Sequence, residues 1–154
     1  MKLLDYHRVH NEERAGWDTA QMEAAVRAQD ATFPERIADL APAELCRVWL
    51  DATAEQRVLI RSRIDRDRVI QLGRFRVEAR AKDSAESLRL ALASLAIADL
   101  TATDAREAIM SLDALLTAAH RIHADWAALM REQIALAGPA LSALMRDHFR
   151  NRPA

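Results

Sequence analysis

Apolar residues recur along most of this chain at spacings of three and four, the period of a helix with one buried face. Leu141, Leu144, Met145, His148 and Phe149 follow i, i+3, i+4, i+7, i+8, which predicts a one-sided closing helix. Leu45, Val48 and Trp49 share one side of an earlier segment that starts at Pro42. The stretch 84–99 behaves differently, with Leu88, Ala91, Leu92 and Leu95 on one side and Leu90 and Ile97 opposite. A helix that is apolar nearly all round belongs at the centre of a fold.

Polar residues set the boundaries. Thr53 with Gln56 fits a capping box, and Asp83 with Glu86 and Asp104 with Glu107 fit its aspartate-first form. Asp125 is placed to cap the next helix, and "AGP" at 137–139 ends one helix and starts another. These signals predict helices near 54–64, 66–82, 84–99, 104–123, 126–136 and 139–150. The first third is less regular, with a short helix over 3–14, a second after Asp18, and short ones at Pro34 and Pro42. We therefore expect one all-α domain over 1–154, with irregular helices in 1–52 and packed helical hairpins in 53–150. Seven to nine helices would form an irregular bundle or a short HEAT-like stack. No regular repeat of 34 to 45 residues is evident, which weighs against the stack.

Composition agrees. The chain is 51% hydrophobic with 3 glycines and 4 prolines, so it has few loops. Its 154 residues suffice to bury roughly two thirds of the unfolded surface without a metal or disulfide. The formal charge is −1, which provides no global field towards nucleic acid or an anionic membrane. Cys46 is the single cysteine, so neither an internal disulfide nor a cysteine-based zinc site is expected. The polar start and the lack of a long uncharged apolar run point to a cytoplasmic protein with no membrane partner. Arginine supplies nearly all the basic charge beside abundant Ala and Leu, a bias that suggests a bacterial genome rich in G and C.

The segment "DAREAIMSLDALLTAAHRIHAD" is similar to helical bacterial proteins that carry no assigned activity, through Asp104, Arg106, Glu107, Leu112, Leu115, Leu116, Ala119, Arg121 and Asp125. In those proteins two arginines commonly stand at the positions of His120 and Arg121. The resemblance implies a helical fold and brings no functional residue with it.

Four histidines are the first chemical candidates. "HRVH" places His7 and His10 three apart, and "HRIH" repeats this at His120 and His123. With Ile109, Leu112, Leu116 and Ala119 marking the apolar stripe, a rotation of about 100° per residue puts His120 and His123 on the buried side. If the first helix packed there, two pairs would offer ligands for a metal-dependent enzyme. No HExxH occurs, however, and no glutamate is followed three residues on by histidine, so neither a zincin nor a di-iron bundle is written here. The reading is no resident cofactor, with imidazoles trimming a helix end.

The second candidate is the arginine-rich run 57–82, in which Arg61, Arg68, Arg74 and Arg76 are placed to contact a partner or phosphates. Acidic residues between them, as in Asp65 with Arg68 and Glu78 with Lys82, favour intrahelical pairs and make nucleic acid the lesser alternative. "RFRVEARA" alternates enough to permit a strand, although its length and context favour helix. Gly73 lies inside a predicted helix, where it would let a neighbouring helix approach. Cys46 sits among apolar residues and reads as a buried hydrophobe rather than a nucleophile. The tryptophans read as core, with Trp126 the best interface anchor if exposed.

Catalytic motifs are thus absent, and the functional expectation is a non-enzymatic module that binds another protein. An immunity or antitoxin protein, or a regulatory adaptor, is the setting that compact helical proteins of this kind suggest. A homodimer is also compatible with the sequence, which does not decide it.

Overall fold

In the computed structural model, residues 33–100 and 104–151 are described. A short helix at 33–38 precedes α1 (Pro42–Asp51), α2 (Ala54–Ser62), α3 (Arg66–Arg80), α4 (Ala85–Ala98), α5 (Ala105–Arg121), α6 (Trp126–Leu136) and α7 (Pro139–Asn151). Among the described residues there is no strand, and "RFRVEARA" is helical through Arg80 as the end of α3, with Ala81 its C-cap.

Each boundary has a local cause. At α2 the Thr53 hydroxyl accepts from the Gln56 amide while the Gln56 side chain accepts from the Thr53 amide, satisfying two N–H groups that the first turn leaves free. Asp65, Asp104 and Asp125 cap α3, α5 and α6 with a single bond each, accepting from the amides of Arg68, Glu107 and Ala128. The cap of α4 falls one residue later than its sequence suggests. Ser84, not Asp83, accepts from the Ser87 amide, and the Asp83 carboxylate lies 3.2 Å from Arg121 Nε. The Asp65 carboxylate likewise serves the Arg68 backbone, while the Arg68 guanidinium reaches the Ile37 carbonyl and Gln71, so the expected ion pair with Asp65 is not made.

The bundle is organised around α4. Leu88 and every residue from Leu90 to Ala98 are buried, and α4 packs against α1, α2, α3, α5 and α6. An element that touches so many neighbours defines a bundle rather than a stack in which each unit meets only the next. Trp49 and Trp126 are both fully enclosed in this core. α6 and α7 pack on each other, and the Ser142 hydroxyl donates to the Ile134 carbonyl to tie them. Arg89 of α4 grips Glu132 of α6 with Nε at 2.8 and 2.9 Å from the two carboxylate oxygens, a hydrogen-bonded pair that raises the pKa of Arg89.

The buried stripe of α5 runs through Ala108, Leu112, Leu115, Ala118 and Ala119. It is centred about 70° round the helix from a stripe drawn through Ile109, Leu112, Leu116 and Ala119, which turns His120 outward. His123 lies beyond the helix altogether. The Ala124 amide bonds the Ala119 carbonyl and the His123 amide bonds the His120 carbonyl, a Schellman closure with His123 at φ 56°. Both histidines are exposed, which corrects the expectation that they face the core.

Candidate functional site

The helical face of α3 that meets the core carries Leu72, Arg76 and Ala79, so an arginine occupies a position of the apolar stripe. Its neighbour Val77, about 100° further round the helix, is 53% exposed. This inversion leaves α3 with charge inside and a large aliphatic group outside. The Arg76 stem packs as part of the core, and the side chain as a whole is 5% exposed. Its Nη1 is buried with no hydrogen-bond partner. Burial pushes the Arg76 pKa below the ordinary arginine value, against the opposing pull of the Glu107 carboxylate.

Arg76 borders a cavity of about 170 Å³ between α3 and α5, walled also by Gly73, Val77, Arg80, Glu107, Ser111 and Leu115. Gly73 does not admit a neighbouring helix here. A Cβ added to it would meet only Arg76 Nη2, at 3.6 Å, so the glycine leaves open the space above the guanidinium. Arg80, Glu107 and Ser111 also line a wider groove of about 540 Å³ with Asp104, Arg106, Met110 and Ala114. Met110 is 61% exposed at this groove, and Val77 stands at the wall of the smaller cavity beside it. Arginines and carboxylates of both signs stand around it.

The remaining arginines are mostly committed to the fold. Arg61 is half-buried with its guanidinium 5.0 Å from the Trp49 ring centre. Arg57 stacks on the same ring at 5.7 Å and donates from Nε to the Trp49 carbonyl. Arg68 is half-buried at the end of its bond to Ile37, and Arg74 is exposed beside Arg68, Phe75 and Glu78 in a separate shallow groove. The four arginines singled out in the sequence therefore do not form one basic surface. Trp126 is 0% exposed and cannot anchor a surface contact. His7 and His10 lie outside the described residues.

Two other arrangements have the residue types of chemistry. His148 Nε2 lies 2.8 Å from Asp113 Oδ1, joining α7 to α5, and since a carboxylate only accepts, Nε2 carries the proton. The ring is enclosed by the core, edge-on to Trp126 at 6.2 Å, and its Nδ1 is buried without a partner. No substrate has access to that nitrogen, so the pair is a strap between helices. Cys46 is 0% exposed, and burial pushes its thiol up to about 12 despite the nearby charge of Arg76. A thiol in that state supplies no thiolate near neutrality. Among the described residues, no three His, Cys, Asp or Glu side chains gather as a metal would require, and no helix is long and apolar enough to cross a membrane.

The α3–α5 groove was not found from the sequence, yet a signal existed: Val69, Leu72, Arg76 and Ala79 keep the i, i+3, i+7, i+10 spacing of a buried stripe. An arginine in such a register marks a buried cation. The class defined by these features is an all-helical bundle with a surface groove and, beside it, a buried guanidinium whose Nη1 lacks a hydrogen-bond partner. Comparison with models of protein families, with curated proteins and with solved structures finds no match for this chain.

Proposed function

We propose that the protein acts by binding another protein, through the groove between α3 and α5. The observation that carries this reading is a pair of exposed apolar side chains on adjacent helices, Met110 in the wider groove and Val77 at the wall of the smaller cavity, two spaces that share Arg80, Glu107 and Ser111. Exposing large aliphatic groups together is unfavourable unless a partner covers them, and an apolar strip with a polar margin suits an amphipathic helix or an extended segment. An immunity or antitoxin protein, or a regulatory adaptor, is the setting such a module suits. Nothing among the described residues favours the metal-enzyme alternative, because His120 and His123 are exposed at a helix end, or the nucleic-acid alternative, because the arginines of 57–82 are dispersed.

The test is a photoreactive side chain placed at Met110 in the native host. It should yield one discrete crosslinked protein, and Val77→Glu should remove it. The same probe at Val58, which is exposed on α2, serves as the control. Equal products from both positions, or none from Met110, would refute the reading.

A further inference from the structure

We propose that the cavity beneath Gly73 is a carboxylate site, in which Arg76 receives an acidic side chain, of aspartate or glutamate type, from the protein that occupies the groove. The occupant rests on the protein-binding reading above; the site itself rests on Arg76. A guanidinium presents a planar fork of donors whose best complement is a carboxylate. Here the fork is 5% exposed and Nη1 has neither a protein acceptor nor contact with solvent. Nη2, the nitrogen that meets the space left by Gly73, lies at the cavity, so an acceptor can be delivered to the guanidinium from outside.

The charges in the cavity wall select among anions. Arg76 and Arg80 are positive and Glu107 is negative, leaving one excess positive charge. A monoanion neutralises this, whereas a phosphate dianion would overcompensate it beside Glu107. The Ser111 hydroxyl provides another donor, and Val77 and Leu115 give an apolar path for the methylenes that carry the carboxylate. The volume of about 170 Å³ equals that of roughly five or six waters, enough for a carboxylate on a short stem. Gly73 keeps this space clear, since anything longer than a methyl there would enter it.

The side-chain analogues provide the probes: acetate for aspartate, propionate for glutamate, propionamide as the neutral isostere and methyl phosphate as the dianion. Each is titrated into the full chain while the Arg76 Nε–H resonance and the Ser111 amide are followed by NMR. Propionate or acetate should shift both and saturate at roughly 10–50 mM, as expected of an isolated fragment of a larger ligand. Propionamide should leave them in place. Arg76→Met, and separately Gly73→Met with the arginine retained, should abolish the Ser111 shift while the rest of the amide spectrum stays folded. A linear drift without saturation, an equal response to propionamide, tighter binding of methyl phosphate, or a shift that survives Gly73→Met would each overturn the site. A partner crosslinked from Met110 without propionate binding removes this inference and leaves the groove reading standing. Propionate binding with no crosslinked partner removes the groove reading and the occupant named here.

Discussion

Replacing Arg76 with methionine should make the protein more stable. In the free protein the guanidinium is buried, Nη1 lacks an acceptor, and burial disfavours the charged form. An unsatisfied buried donor costs about 1–3 kcal/mol, more when it is charged. Methionine retains an unbranched apolar stem for the stripe between Leu72 and Ala79 and removes the donors. The opposing loss is the attraction to Glu107, which is exposed and hydrated, so at most about 1 kcal/mol is forfeited. The net gain should be about 1–2 kcal/mol, or roughly 2–8 °C in Tm for a domain of this size. Urea unfolding at neutral pH should show a higher midpoint with an unchanged slope. The penalty belongs to the charged form and is present at every pH below the lowered Arg76 pKa, so the gain should be constant from about pH 6 to 9. Arg76→Lys, which keeps the charge and loses the fork, should give no gain. An Arg76→Met midpoint equal to or below that of the wild type would show that the guanidinium is already satisfied, and would remove the physical basis for a ligand there. A residue that stabilises the fold when removed is kept at a cost, as expected where binding competes with stability.

Three further outcomes follow from other parts of the molecule. Cys46 should resist thiol reagents in the native state at neutral pH and react only as fast as the protein opens. Because its pKa rises from 9.0 to about 12 on folding, the stability it supports is intact below 9 and declines as pH climbs towards 12. Cys46→Ala should therefore flatten an alkaline loss of up to about 1.4 kcal/mol per pH unit in denaturant titrations, and an identical pH profile would contradict this. His123→Gly should raise stability by about 0.5–1 kcal/mol, because φ is 56° there and glycine carries no Cβ penalty; a lower Tm would show that the imidazole contributes more than its backbone costs. Asp113→Ala should cost about 1–3 kcal/mol by leaving the buried His148 Nε2 without its acceptor, and thermal unfolding within about 0.3 kcal/mol of wild type would dismiss the strap.

The features that bear on function escaped sequence reasoning for separate physical reasons. The phase of α5 is not legible in the sequence because Ile109, apolar in identity, is 39% exposed, and the helix ends at Arg121 rather than running on to His123. Apolar identity does not settle which side of a helix is covered; the neighbours do. The Asp113–His148 pair joins residues 35 apart, and no local pattern records it. Gly73 was recognised as exceptional, but whether it admits a helix or a cavity depends on what packs above it.

The sequence by itself determined the helices, since capping groups at Thr53, Asp104 and Asp125 act on amides three residues away and need no tertiary partner. It also determined that α4 is central, because a segment apolar on all sides has no stable surface position. Only the tertiary structure decided that Arg76 turns inward while Val77 and Met110 remain outside. That choice is made when α3 and α5 pack on α4 and leave between them a space that no side chain of either helix fills.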